Sequence, residues 1–138
     1  MSRKLGDLCP RFRPLAESVI ARCVEAGQMV MIVDTLRTQA EQAEYLRRGT
    51  SQTMNSLHLP QTRCGVCCEI KNSDGSSGLS HAIDLAPYDE WSARGPDKLS
   101  WAPNHPGWQV IGQAARSVGA TWGGDWRTFK DYAHVQDP

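Results

Sequence analysis

The chain has 138 residues, a length typical of one domain that buries its own hydrophobic core. Lys plus Arg and Asp plus Glu both number 15, so the formal net charge at pH 7 is zero. This balance argues against nucleic acid or an anionic membrane surface as a partner. The N-terminal residues lack an apolar signal-peptide core, and no apolar run reaches membrane-spanning length. We therefore expect synthesis in the cytoplasm and no membrane insertion.

The first part of the chain predicts a helix, a strand and a second helix. After Pro14, apolar residues fall on one face at helical spacing, namely Leu15, Val19, Ile20, Cys23 and Val24. Residues 29–33, MVMIV, are apolar and partly β-branched, and they predict a short buried strand. Thr38 and Glu41 have the spacing of a capping box, and they begin a segment of helix formers that closes on Gly49.

The middle of the chain is rich in turn-forming residues. Segment 50–62 is polar and predicts a loop, with SLHL at 56–59 as a short strand. Residues at about 60–80 contain three cysteines and many Gly, Ser and Asn, and we interpret them as an insertion. Residues 81–86, HAIDLA, alternate and predict a strand, and 87–103 predict a loop.

The last part predicts one more helix and two short strands. The helix begins at Asn104, carries Trp108 on its core face and ends at Gly119. Strands are expected near 121–122 and 133–136. The elements follow no βαβ rhythm, so we predict an α+β fold with a small, mostly antiparallel sheet and about three helices. The whole chain, 1–138, is expected to form a single domain.

Histidines and acids are the candidates for chemistry. Of the four histidines, His105 lies in NHPGW and is expected to be a helix-start residue. Asp84 follows His81 by three residues, and Asp131 precedes His134 by three. A catalytic zinc site needs three protein ligands and a nearby carboxylate that takes a proton from water. Two histidines and one aspartate, with a second aspartate as base, would satisfy that need.

Three separated motifs resemble one known family. They are Ser56-x-His58, Ala82-x-Asp84 and Asp131-x-x-His134, and residues 34–49, DTLRTQAEQAEYLRRG, resemble its Arg-Thr-x-x-Glu-Gln segment. The family is the LAS-type zinc peptidases of peptidoglycan, which includes D-Ala-D-Ala carboxypeptidases and phage L-alanyl-D-glutamate endolysins. The hedgehog signalling domain is a relative in fold. The resemblance covers roughly residues 30–136, except for the insertion.

The resemblance implies roles for individual residues. His58, Asp84 and His134 would bind Zn²⁺, Asp131 would be the general base, and Arg37 would stabilise the developing oxyanion. The segment WGGDW, 122–126, would form the wall of the cleft. Further candidates for contacts to the substrate or to the metal ligands are Ser56, His81, Trp122 and Asp125.

One departure from the family pattern concerns the first ligand pair. In the family that histidine and aspartate lie a few residues apart, whereas here the insertion separates His58 from Asp84. His81 is an alternative ligand to His58. Residues three apart on a strand face opposite sides, however, so we expect His58 to be the ligand.

The cysteines of the insertion allow three interpretations. Cys64, Cys67 and Cys68 form C-x-x-C-C, while Cys9 and Cys23 lie elsewhere in the chain. These thiols are candidates for a second metal site, for a disulfide in an oxidising setting, or for reduced and inert thiols. A structural zinc usually needs four ligands, so the motif by itself does not complete one.

The sequence thus predicts a zinc-dependent peptidase that hydrolyses an amide bond in peptidoglycan stem peptides. The missing export signal favours a phage or prophage endolysin of the L-Ala-D-Glu type that reaches the wall after release. The alternative is a D-Ala-D-Ala carboxypeptidase, including one that trims wall peptides in the cytoplasm. Two non-enzymatic alternatives are a zinc-binding interaction module and a sensor built on the CGVCC loop. We expect a monomer whose partner is a peptidoglycan peptide.

Overall fold

A computed structural model describes residues 1–51, 53–89 and 98–138. In chain order its helices and strands are α1 Arg13–Glu25, β1 Val30–Asp34, α2 Gln39–Arg47, β2 Ala82–Pro87, α3 Gly107–Ser117, β3 Thr121–Trp122 and β4 His134–Gln136. Short 3₁₀ helices occupy Leu5–Asp7 and Gly123–Asp125. Among the described residues, no helix has both the length and the apolar character needed to cross a membrane.

The four strands form one antiparallel sheet in the order β1-β2-β4-β3. The predicted α+β fold, with a small antiparallel sheet and three helices, is therefore confirmed. The register pairs Asp34 with Asp84 and Asp84 with His134, after an irregularity between Ile32 and Asp34. Cross-strand partners point to the same face of a sheet. The register thus places three polar side chains side by side on neighbouring strands.

The hydrophobic core lies between the sheet and the helices α1 and α3. The buried face of α3 includes Trp108, Ile111, Ala114 and Ala115. It packs with Phe12 and Val19 of the N-terminal region and with the apolar residues of β2 and β4. Burial of this apolar area is the main stabilising contribution to the fold. It also fixes β2 and β4, the strands that carry Asp84 and His134.

The insertion is held against the N-terminal segment. Its residues from 63 to 80 contain no regular helix or strand, but Cys67 and Leu79 are part of the core. Leu8 and Ser80 form an isolated parallel bridge. The buried carboxylate of Asp7 accepts hydrogen bonds from the backbone N–H and the hydroxyl of Ser73. These contacts fix both the chain before α1 and the chain before β2.

Local predictions hold best where a capping or packing signal is strong. The capping box at the start of α2 is confirmed, because Thr38 and Glu41 exchange both hydrogen bonds. The third helix begins at Gly107 rather than at Asn104. The predicted loop 87–103 includes residues 90–97, which lie outside the described residues.

One strand prediction was wrong, and a second was right about the strand but wrong about its burial. The segment SLHL at 56–59 forms a turn instead of a strand, with the Leu59 N–H donating to the Ser56 carbonyl. The segment MVMIV does form a strand, but it lies at the edge of the sheet, and Met31 is 45% exposed. An antiparallel sheet can leave one face open to solvent, so an apolar run is not sufficient evidence of full burial.

Candidate active site

Three predicted ligand residues converge although they are far apart in the chain. One potential ligand atom of each of His58, Asp84 and His134 lies within 4.8 Å of the others. Asp84 Oδ1 is 3.0 Å from His58 Nε2 and 3.4 Å from His134 Nδ1. All three residues are buried. His58 lies in the turn before the insertion, and Asp84 lies on the strand after it. The insertion therefore does not separate these two residues in space.

Each imidazole is held by a hydrogen bond at the ring nitrogen that does not face Asp84. The Nδ1 of His58 lies 2.7 Å from the Thr35 carbonyl oxygen, and the Nε2 of His134 lies 2.8 Å from Gln136 Oε1. A neutral oxygen acceptor keeps the proton on that nitrogen and leaves the other nitrogen free to bind a metal. In both rings the free nitrogen faces Asp84. The donor set and its outer hydrogen bonds therefore fit a divalent metal such as zinc.

Arg37 connects the acidic side chains of this face. Its Nη2 donates to Asp84 Oδ2 at 2.8 Å, its Nε donates to Asp34, and its Nη1 donates to Gln42 Oε1 at 3.0 Å. The guanidinium also lies over the ring of Tyr45, 4.5 Å from the centroid. A planar guanidinium with this many partners is held in a single orientation.

The charges of the site change the pKa values of its carboxyl groups. Burial would raise the pKa of Asp84, but the neighbouring His58 and His134 hold it well below its ordinary value. Burial raises the pKa of Asp131, and the negative charge of Asp84 raises it further. The site therefore contains one carboxylate held in the charged form and a second one that binds protons more readily.

Asp131 is positioned by the backbone of the segment before β4. Its N–H donates to the Gly123 carbonyl at 3.1 Å, and its carbonyl accepts from the His134 N–H at 3.3 Å. A Cβ atom on Gly123 would overlap the Asp131 carbonyl oxygen and approach the Cβ of His134 to 3.1 Å. Glycine at this position thus allows the close approach of the two segments.

A cavity of about 820 Å³ opens over these groups. Asp84, Asp131 and His134 line it together with Arg37 and Ser56. His58 is fully buried beneath it. Within the described part of the chain, four aromatic residues also line the cavity, namely Tyr45, Trp101, Trp126 and Phe129. The cavity thus combines polar groups at its base with apolar walls, as is typical of binding sites for small ligands and peptides.

The other sequence candidates lie in different places. The Ser56 hydroxyl accepts from the His58 N–H at 3.2 Å, next to the metal ligands. Trp122 is in the core, where its Nε1 donates to the Tyr132 carbonyl. Asp125 is on the surface, paired with Arg116 at 2.5 Å. Neither Trp122 nor Asp125 is among the described residues that line the cavity.

His81 belongs to a second group of residues. Its side chain lies with three thiols, in a group that we call the thiol cluster, defined as Cys9, Cys64, Cys67 and His81. Among the described residues, Cys68 is not in this group. His81 directly precedes β2, and the group lies away from the cavity that His134 lines.

Sequence reasoning missed several residues of the site. Gln42 is fully buried and links Arg37 to Ser51 and the Thr53 carbonyl. Asp34, the last residue of β1, accepts a hydrogen bond from Arg37. Trp126 belongs to the segment 122–126 predicted as the cleft wall; it lines the cavity, and its ring lies 5.1 Å from that of His134. The polar residues at the end of β1 and in the first turn of α2 were the available signal.

Comparisons with known proteins agree with this geometry. A family model described as D-alanyl-D-alanine carboxypeptidase matches residues 72–137, which include Asp84, Asp131 and His134. The crystal structure of the Serratia marcescens L-Ala D-Glu endopeptidase ChiX superposes with a TM-score of 0.60 at 26% identity, covering 97% of this chain and 83% of that one. The chain is thus similar, in sequence and in fold, to peptidoglycan peptidases.

Two curated proteins named as L-alanyl-D-glutamate peptidases are also similar to this chain. The L-alanyl-D-glutamate peptidase of Listeria phage A118 is 33% identical over 110 residues, which are 80% of this chain. This chain spans only 31% of that phage protein. The peptidoglycan L-alanyl-D-glutamate endopeptidase CwlK of Bacillus subtilis is 24% identical over 95% of this chain and 74% of its own length. The family resemblance predicted from the three motifs is confirmed.

Proposed function

We propose that this chain is a zinc-dependent peptidase that hydrolyses the L-Ala-D-Glu amide bond of peptidoglycan stem peptides. The observation that carries the proposal is the placement of Asp131 in the same cavity as Asp84 and His134. A metal that only stabilised a fold would need no extra carboxylate beside it. The names of the similar phage, Bacillus and Serratia proteins support this choice of bond.

His58, Asp84 and His134 would hold the zinc ion. When bound, zinc supplies Lewis acidity, which polarises the scissile carbonyl and lowers the pKa of a water molecule. Three protein ligands leave a coordination position open, as catalytic sites require. The cavity reaches Asp84 and His134 from one side, so a substrate can approach the ligand set from there.

Asp131 would transfer the protons, and Arg37 would stabilise the developing negative charge. Asp131 takes a proton from the attacking water and delivers it to the leaving amine. Arg37 holds Asp84 in position and faces the cavity. A guanidinium has more N–H donors than its contacts to Asp34, Gln42 and Asp84 use. A remaining N–H would donate to the oxyanion that develops on the carbonyl oxygen.

The aromatic walls would bind the peptide. Trp101 is 53% exposed, and Phe129 is 39% exposed. Both line the cavity with Trp126. Exposed aromatic side chains around a polar site provide contact area for the apolar parts of a stem peptide. Because one chain supplies the whole cavity, we propose that the protein acts as a monomer with a single catalytic domain, 1–138, on peptidoglycan of the cell wall.

A D-Ala-D-Ala carboxypeptidase is the second candidate, favoured by the description of the matching family model. Such an enzyme needs a cation for the terminal carboxylate of its substrate. Besides Arg37, Arg48 is a cation in the described lining of the cavity, and its Nε already donates to Glu44 at 2.8 Å. The endopeptidase is the better supported reaction, because the phage, Bacillus and Serratia proteins are all named as enzymes of that specificity.

Mass spectrometry of muropeptides tests the proposal. Incubation of purified peptidoglycan with the protein should give peptides with a new N-terminal D-Glu, together with muramyl-L-Ala. Release of free D-Ala instead would establish the carboxypeptidase. The variant His134→Ala serves as the control for contaminating hydrolases. If the wild-type protein with zinc produces no more new termini than this variant, the proposed peptidase activity is refuted.

A further inference from the structure

The thiol cluster unites three separate parts of the chain. Cys9 precedes α1, Cys64 and Cys67 lie in the insertion, and His81 directly precedes β2. One sulfur or nitrogen atom of each lies within 4.8 Å of all the others. Cys9, Cys67 and His81 are buried, and Cys64 is half-buried. Four groups that bind soft metals are therefore gathered at one point beneath the surface.

We propose that these four residues form a second metal site, a structural zinc with Cys₃His coordination. Structural zinc sites are closed, with four tetrahedral ligands drawn from Cys and His. For Zn–S bonds of about 2.3 Å, tetrahedral geometry separates two sulfurs by about 3.8 Å. The Sγ atoms of Cys64 and Cys67 are 3.2 Å apart, and Cys67 Sγ is 3.4 Å from His81 Nε2. Small movements would bring these atoms to the required spacing.

The hydrogen bonds of His81 support a ligand role. Its Nε2 faces the thiols, while its Nδ1 lies 3.0 Å from Asp137 Oδ2. A carboxylate on the second nitrogen fixes the ring and its tautomer, as is usual for metal-binding histidines. Arg11 in turn donates to Asp137 Oδ2 from Nη2 at 2.6 Å. His81 is thus oriented by a chain of charged groups, with its free nitrogen directed at sulfur.

The turn around Cys64 also favours a bound thiolate. The backbone N–H groups of Val66 and Cys67 both point at Cys64 Sγ, at 3.4 and 3.1 Å. Gly65 has a φ of +78°, which allows the tight turn that aims them. Two N–H donors on one sulfur stabilise its anionic form, and that form binds metals.

A disulfide explains less of this arrangement. A bond between Cys64 and Cys67 would use two thiols, but it would give no reason for Cys9 and an oriented His81 beside them. Metal binding uses all four groups. It would also tie the insertion, which has no regular helix or strand from 63 to 80, to the chain on both sides. Metal coordination adds directly to the folding free energy of such segments.

Metal stoichiometry and a cobalt spectrum test the proposal. Purified under reducing conditions and dialysed, the wild-type protein should contain two zinc ions per chain and Cys67→Ser one. The matched control Cys68→Ser, one residue away but outside the cluster, should keep two. With Co²⁺ in place of zinc, the wild type should show thiolate-to-cobalt absorption in the near ultraviolet. The active-site donors, two imidazoles and a carboxylate, cannot produce that band.

The variant His134→Ala separates this proposal from the proposed function. It should hold one zinc, keep the cobalt–thiolate band and unfold at a lower temperature after chelation. This variant leaves the cluster intact, so it decides the question even if Cys67→Ser does not fold. Absence of the band in both the wild type and His134→Ala, or a Cys64–Cys67 disulfide in the protein purified under reducing conditions, would overturn the second site. Two zinc ions in His134→Ala with the band present would instead refute His134 as a ligand.

Discussion

Arg37 and His58 bind opposite oxygens of the same carboxylate, that of Asp84. The guanidinium Nη2 lies 2.8 Å from Oδ2, and His58 Nε2 lies 3.0 Å from Oδ1. An isolated carboxylate in a buried strand would be strongly destabilising. Here the ion pair satisfies one oxygen and leaves the other directed at the two imidazoles. One side chain thus belongs both to the fold and to the candidate metal site.

Replacement of Arg37 by Met should destabilise the protein by about 3–5 kcal/mol, because it leaves buried carboxylates without their counter-charge. Activity on peptidoglycan should also fall, since Asp84 loses a positioning contact and the carbonyl oxygen loses a donor. Urea unfolding followed by circular dichroism gives the free energy of unfolding. The double variant Asp34→Asn/Arg37→Met should be less destabilised than the sum of the two single variants.

Arg48→Met is the control for Arg37. Arg48 also lines the cavity and pairs with an acid, but its side chain is 61% exposed. Its replacement should change the free energy of unfolding by no more than about 0.5 kcal/mol. Equal stability losses in the Arg37 and Arg48 variants would contradict a special role for the buried ion pair.

Replacement of Asp131 by Asn should preserve the zinc content and abolish most of the activity. The amide has nearly the same shape but cannot accept the proton of the attacking water, so we expect a loss in kcat of about 10²- to 10⁴-fold. Zinc content by mass spectrometry and the rate of muropeptide release are the two measurements. Asp125→Asn, on the exposed face of the same segment, should retain full activity. Wild-type kcat in Asp131→Asn would eliminate it as the base.

Asp84→Asn should lose one equivalent of zinc and almost all activity, because a neutral amide is a much weaker ligand than a carboxylate. It should also lower the free energy of unfolding, since Arg37 loses one of its two charged partners among the described residues and keeps Asp34. Zinc titration and urea unfolding measure the two effects separately. A variant that binds as much zinc as the wild type would show that Asp84 is not a ligand.

Gly123→Ala should impair catalysis by displacing active-site residues without removing any of their functional groups. The added methyl group would overlap the Asp131 carbonyl and press on His134, which moves the base and one ligand together. Displacements of about 1 Å at such groups lower rates by about 10²-fold. The matched control is Gly6→Ala, where a Cβ meets nothing within 4 Å. Steady-state kinetics on a soluble stem peptide should show a loss for Gly123→Ala and none for the control.

Sequence-based predictions agree best with the structure where the interacting residues lie close together in the chain. The capping box at Thr38 and the buried stripe of α3 were predicted because their partners lie three or four residues away. The turn at 56–59 was mistaken for a strand, because its short polar and apolar alternation also fits one. Burial of Gln42 was missed, because its partner Arg37 lies in the segment before α2 rather than on the same helix.

The sequence by itself determined the residue types and the motif spacing, and so the family resemblance and the candidates His58, Asp84, Asp131 and His134. It also determined the helices, whose hydrogen bonds and capping are local. Only the tertiary structure decided which distant side chains meet. Strand register places Asp84 between Asp34 and His134, and packing of the insertion brings Cys9 and His81 to Cys64 and Cys67. These contacts join residues that are far apart in the sequence. The spacing of residues along the chain does not determine how close such residues come in space.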